Sequence, residues 1–299
     1  MLRQNRMRIK MILLLLLFLA GCAQTKPEGR HTTPEPLPTS TSVPPGTAMP
    51  IDEVVATPDT SVVALYSDRG ADEDCIQATT NMFEWMGYAV SLVNADYINS
   101  EGLDNFSILC IPGGNMYQYA QDISSGGKEN IKDFIRNGGG YIGICGGAYF
   151  ASEKVMWQGN QLPMTPLGVF PGTAEGPINE IVPYPDYGMC KVNIVDSTHP
   201  ITRSEPDYAW MLYYWGPVLI PNEDADIAIL GKYESVNQPA MLAFDYGLGR
   251  VFLIGTHPEM EEDSDRDGVD VFDELDDQGS DWELMRKAVL WCLNESEDS

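Results

Sequence analysis

The chain is short of positive charge. It holds 18 Lys and Arg against 44 Asp and Glu, for a formal net charge of −26 at pH 7. Such a surface repels nucleic acid and anionic lipid headgroups, which argues against a nucleic-acid function. Histidine is scarcer still, with three residues in 299. Cysteine is sparse and irregularly spaced: Cys22, Cys75, Cys110, Cys145, Cys190 and Cys292, with no CxxC pair. That pattern is neither a disulfide framework nor a cysteine-rich zinc motif. With Cys22 set aside, an odd count leaves at least one thiol free. No apolar run reaches membrane-spanning length. Met11 to Ala20 is about ten residues, half of what a transmembrane helix needs.

That short run has its own meaning. Arg3, Arg6, Arg8 and Lys10 precede it, and Leu19-Ala20-Gly21-Cys22 follows. A basic start, a short apolar stretch and small residues before a cysteine resemble a lipoprotein signal peptide. The resemblance implies removal of residues 1–21, acylation of Cys22, and a location on the extracytoplasmic face of the cell membrane. The alternative is an ordinary signal peptide that contains a cysteine. Residues 22–60 are rich in Pro, Thr and Ser and read as a disordered tether. One substantial domain is then expected over 61–299.

Within it, helical and extended patterns alternate. Ser61 to Tyr66, Tyr88 to Val93, Ser107 to Ile111 and Tyr141 to Ile144 read as strands. Asp72 to Met86 and Glu129 to Arg136 carry helical spacing, and Gly87 reads as a stop. This alternation predicts a mostly parallel sheet covered on both faces, with its functional site at the carboxyl ends of the strands. Residues 155–225 are less regular, with strands at Val192 to Val195 and Tyr208 to Trp215. Asp226 to Leu230, Ala240 to Phe244 and Arg250 to Ile254 follow as strands, the last two joined by a hairpin turn at Tyr246-Gly247-Leu248-Gly249. Trp282 to Leu293 reads as a closing amphipathic helix.

One turn carries the chemistry. Gly143-Ile144-Cys145-Gly146-Gly147 has the G-x-nucleophile-x-G form, which sets a nucleophile on a tight strand-to-helix turn. A thiol nucleophile needs a base, a group that orients the base, and oxyanion donors. His31 lies in the tether, and His199 reads as a loop residue with no catalytic part. His257 follows a strand end, and Glu259 stands two residues on. In extended backbone both side chains then lie on one side, where the carboxylate can hold the imidazole. Gly146 and the glycines of Pro112-Gly113-Gly114 are candidate backbone donors. Asn115 and Tyr149 are candidate polar substrate contacts. The aromatics between Trp157 and Trp215 read either as core packing or as a pocket lining.

Taken in order, Ile111-Pro112-Gly113-Gly114, the Cys145 turn and Gly255-Thr256-His257-Pro258-Glu259 resemble the class I glutamine amidotransferase-like superfamily. More narrowly, the chain resembles the N-terminal domain of biotin–protein ligases, which also occurs alone. The resemblance spans most of 61–294. It implies a flavodoxin-like three-layer α/β sandwich and a triad of Cys145, His257 and Glu259, with no organic cofactor. The expected activity is a cysteine-dependent hydrolase acting on an amide or peptide-like bond of a small-molecule or peptide-like substrate. The alternative is a ligand-binding lipoprotein that keeps the triad pocket without turnover.

A second motif follows. Asp263 to Glu274 matches D-x-D-x-D-G-x5-E, with Asp263, Asp265, Asp267, the Val269 carbonyl and Glu274 in calcium-ligating positions. Asp270 departs from the pattern, where such loops usually carry an apolar residue. The other reading is a solvated acidic loop.

Overall fold

The computed structural model describes residues 62–100, 102–261, 265–275 and 279–295. The signal peptide 1–21, Cys22, the tether 22–60 and Asp263 lie outside them. The described residues fall in one unit, Ala56–Ser299.

The first half of that unit alternates as the sequence predicts. The order is β1 (Val62–Tyr66), α1 (Glu73–Trp85), β2 (Ala89–Val93), α2 (Ala95–Ser100), β3 (Ile108–Ile111), α3 (Met116–Asp122), α4 (Ser125–Arg136), β4 (Gly140–Ile144) and α5 (Gly146–Ala151). Then come β5 (Ser152–Trp157), β6 (Asn160–Gln161), β7 (Phe170–Gly176), β8 (Gly188–Ile194), β9 (Tyr208–Tyr213) and β10 (Val218–Pro221). The chain closes through β11 (Ala228–Tyr233), β12 (Pro239–Tyr246), β13 (Gly249–Ile254), a 3-10 turn at Asp265–Asp267 and α6 (Trp282–Cys292).

Nine strands form one sheet in the order β2-β1-β3-β4-β13-β12-β11-β8-β9. From β2 to β13 neighbours run parallel, and from β13 to β9 they run antiparallel. The hairpin turn lies where the sequence puts it, since Tyr246 pairs with Gly249 across Gly247-Leu248. The irregular middle forms a second, four-stranded sheet, β10-β7-β5-β6. Neither that sheet nor the short helices α2 and α3 were expected: α2, α3 and β6 are too short to show a period, and β7 alternates in burial through small residues rather than an apolar run.

Side-chain alternation sorts the sheet into two faces. Ala64, Tyr66, Leu109, Ile111, Tyr141, Val251 and Leu253 pack with Ile98, Met116, Tyr119, Ile131, Ile135 and Ala148 from α2, α3, α4 and α5. Val63, Leu65, Ile108, Cys110, Ile142, Phe252 and Ile254 point the other way. They meet Met82 and Phe83 of α1 and Trp282, Met285, Ala288 and Val289 of α6. The result is helix, sheet, helix, as expected of strands that are buried on both faces. β3 and β4 are buried at every position.

Caps fix where helices begin. The Asp72 carboxylate accepts from the N–H groups of Asp74 and Cys75, which starts α1 two residues before its apolar stripe of Cys75, Ala78, Thr79, Met82 and Phe83. The loops after β1 and β3 are stitched together by an Ala71–Gly114 bridge and by Asn115 N–H to Gly70 O at 2.8 Å. α1 therefore starts beside the carboxyl end of β3.

Trp282 ties the last helix to this end of the sheet. It is fully buried, its Nε1–H donates to Glu259 O at 3.0 Å, and Arg266 stacks on its ring at 4.1 Å. Trp282→Ala removes a large core side chain and leaves that carbonyl unpaired. We expect a loss of roughly 3–5 kcal/mol, seen as a fall in Tm on the order of 10 °C by calorimetry. A fall of one or two degrees would show that α6 does not brace the site.

Candidate active site

Strand register brings the motifs together. Ile111 pairs with Gly143, and Ile144 pairs with Ile254, so β3, β4 and β13 end side by side. Cys145 follows β4 and its N–H donates to Ile254 O at 2.9 Å. Its φ is +45° and ψ −98°, a region that L-residues seldom occupy. The turn is needed because β4 must reverse into α5 within one residue. Tyr149 N–H donates back to Cys145 O at 3.0 Å and closes the first helical turn.

Two glycine contacts show how tight this corner is. A Cβ on Gly146 would lie 2.5 Å from Gly114 O and 2.7 Å from Gly114 N. The two candidate donor segments are thus in direct contact across the turn, an approach only glycine permits. A Cβ on Gly113 would lie 2.5 Å from His257 Cε1 and 2.7 Å from Cys75 Sγ.

His257 and Glu259 take the predicted relation. Nδ1 lies 2.9 Å from Glu259 Oε1, with His257 1% exposed and Glu259 fully buried. The pair is held from below by His257 N–H to Leu212 O at 3.0 Å and from α6 by Trp282. Burial opposes the imidazolium. The neighbouring Cys145 thiol, which also contacts the ring, and the Glu259 carboxylate overcome it and push His257 well above the usual histidine range. Beyond that Cys145 contact, Nε2, the ring nitrogen not turned to Glu259, has no hydrogen-bond partner among the described residues. The Cys145 thiol contacts Tyr214 O at 3.6 Å.

Two other predicted contacts have partners already. Asn115 caps α3 through Tyr117 N–H, and the Tyr149 hydroxyl donates to Trp215 O at 3.0 Å. Both border the site from its frame. In the acidic loop, Asp267 is buried and its two carboxylate oxygens accept from Glu261 N–H at 3.0 Å and Val269 N–H at 3.1 Å. Burial raises its pKa. Glu274 accepts from the Tyr187 hydroxyl at 2.7 Å, and Asp265 is exposed. Among the described residues these acids do not converge on one point.

Two further residues border the triad: Tyr214, one of the aromatics read as core packing or pocket lining, and Cys75, which was not expected. The Tyr214 ring lies 5.8 Å from the His257 ring, and itself abuts Trp215 and Phe272. Cys75 Sγ lies 3.7 Å from His257 Nδ1. Burial pushes the Cys75 thiol well above its usual range. In sequence, Cys75 is one more apolar position of α1, and nothing in its spacing distinguishes it from core. A hollow of about 340 Å³ lined by Tyr117, Gln121, Lys128 and Thr165 sits over α3 and α4 and holds no triad residue.

Comparison with known proteins identifies the family and the fold. The protein is 26% identical to a biotin–protein ligase of Schizosaccharomyces pombe over 233 residues, covering 72% of this chain and 35% of that one. It is 30% identical over 125 residues to an uncharacterized protein of Chlamydia muridarum, covering 38% of this chain and 48% of that one. The chain thus spans a third to a half of the length of these curated relatives. Among solved structures, a glutamine amidotransferase from Thermotoga maritima superposes with a TM-score of 0.55 at 12% identity, covering 79% of this chain and 99% of the other. A putative ThuA-like protein from Bacteroides uniformis gives 0.52 at 13% identity, with 83% and 97% covered. At such identities the likeness is one of fold: the α/β architecture is that of the glutamine amidotransferase-like proteins. The profile of the family described as "Biotin-protein ligase, N terminal" matches residues 61–293, and the chain belongs to that family.

Proposed function

We propose that the protein is a cysteine-dependent hydrolase of amide or peptide-like bonds. The observation that carries this is the buried 2.9 Å His257–Glu259 pair standing beside a cysteine on a strained turn. Glu259 holds the Nδ1 proton, so Nε2 is left to take the Cys145 proton. The thiolate attacks the carbonyl carbon. The N–H groups of Gly146 and Gly114 receive the developing oxyanion. His257 returns the proton to the leaving amine, and a water, activated by the same imidazole, hydrolyses the thioester. The raised His257 pKa favours the thiolate–imidazolium form in which the nucleophile is ready. Kinship with a glutamine amidotransferase fold supports amide chemistry. The alternative is a binding module, favoured by the fact that Cys145 is only 6% exposed.

Selective alkylation separates the two. Iodoacetamide should modify Cys145 at least about 100-fold faster than Cys110 or Cys292, which are buried and have no imidazole beside them. His257→Ala should slow that reaction at least about tenfold. Equal rates at the three cysteines would favour the binding module. Turnover is then sought with amide, peptide and ester panels, using Cys145→Ala as the control.

The proposal includes anchoring by lipid at Cys22, supported by the signal pattern before it. Expressed from the full chain, the protein should partition into detergent and carry the mass of acyl chains, both lost in Cys22→Ala. An unmodified Cys22 refutes the anchor. It also includes calcium at the acidic loop, supported by the D-x-D-x-D-G-x5-E spacing. A chelator should then lower Tm by several degrees, and calcium should restore it. An unchanged Tm identifies a solvated loop.

A further inference from the structure

The triad acid and base face a second thiol that catalysis does not need. Cys75 Sγ, His257 Nδ1 and a Glu259 carboxylate oxygen all lie within 4.8 Å of one another. Cys75 is 1% exposed, His257 1% and Glu259 0%. Each comes from a different stretch of backbone or a fixed spacing: Cys75 from the capped first turn of α1, His257 and Glu259 from the segment after β13. A fourth donor is at hand, because Glu259 Oε2 is buried and has no hydrogen-bond partner among the described residues.

From this geometry we infer that Cys75, His257 and Glu259 form a binding site for a thiophilic divalent cation, zinc being the best fit. One thiolate, one imidazole and one carboxylate are a zinc-type donor set. Metal–ligand bonds of about 2.3 Å to sulfur and about 2.0–2.1 Å to nitrogen or oxygen put tetrahedral ligand atoms roughly 3.3–3.6 Å apart. The Cys75–His257 distance of 3.7 Å is already there. The His257–Glu259 distance of 2.9 Å must widen by a few tenths of an ångström, as a shared proton gives way to a shared cation. Binding releases the Cys75 thiol proton. It also removes the proton from Nδ1 and leaves one on Nε2, the nitrogen that now lacks a good partner. Nε2 can then no longer accept the Cys145 proton, so the bound cation holds the thiol nucleophile inactive. This consequence rests on the catalytic reading of Cys145. The binding itself does not.

The test uses the full chain and the metal alone. Zinc is titrated in competition with a chromophoric chelator, and Co2+ is added as a spectroscopic stand-in. Wild type should bind one zinc per chain. Cys145→Ser should bind it within about threefold of wild type and show a thiolate-to-Co2+ charge-transfer band. Cys75→Ser should weaken binding at least tenfold and lose the band. Saturating zinc should slow Cys145 alkylation at least tenfold in wild type and leave the rate in Cys75→Ser unchanged. Absence of stoichiometric binding overturns the site. So does binding that survives in Cys75→Ser and disappears in Cys145→Ser, since the metal then sits on the nucleophile. If Cys75→Ser does not fold, the Co2+ band in Cys145→Ser still decides, because no band means no Cys75 ligand. An alkylation rate unmoved by zinc overturns the inhibitory role.

Discussion

The arrangement depends on one backbone constraint, the reversal at Cys145. A parallel strand that ends in the middle of a sheet must turn at once into its helix. Here it does so with a φ of +45° at a residue with a side chain. That conformation costs on the order of 1–3 kcal/mol and persists only where its neighbours leave no alternative. They are named on three sides. Cys145 N–H is held by Ile254 O, Cys145 O by Tyr149 N–H, and Gly147 N–H by Pro112 O. Gly146 lies against Gly114 with no room for a methyl group. The thiol is thus aimed by the sheet, and the same three strand ends that aim it deliver its partners.

The base is fixed by the other half of the sheet. His257 comes three residues after β13, the last parallel strand, and its N–H donates to Leu212 O of β9. Its orienting acid is braced by Trp282 from α6. An imidazole and a carboxylate that are almost wholly buried would each be costly alone. As a hydrogen-bonded pair beside a thiol the cost is shared, and the surrounding acidic groups push the imidazole pKa up against the burial that opposes it.

Much of this was legible in the sequence, for reasons that can be stated. Asp72 and Gly87 bound the first helix because a cap and a left-handed glycine are local chemistry. β1, β3 and β4 were visible because strands buried on both faces are continuous apolar runs. The His257–Glu259 contact was expected from a spacing of two in extended backbone, yet Pro258 and Glu259 lie in a turn closed by Met260 N–H to His257 O at 3.3 Å, so the contact holds on a different backbone from the one expected. What stayed hidden was either too short or long-range. β6 has two residues, and the second sheet is made by pairing β5 with β7 across the long loop between them. Asn115 and Tyr149 were placed at the right corner, but their capping and carbonyl bonds are set by neighbours that sequence spacing does not name.

Cys75 is the instructive case. A cysteine on the apolar stripe of an amphipathic helix reads as core, and by burial it is core. What separates it from Ala78 or Met82 is the identity of the atom it meets, and that depends on how α1 sits over the end of β3. The Ala71–Gly114 bridge and the Asn115–Gly70 hydrogen bond lock that placement. The same stitching that holds Gly114 against Gly146 therefore also holds a second thiol against the His257 imidazole. The Gly113–Gly114 loop and the buried Cys75 thiol are placed by one loop contact, so a change that moves either must move both.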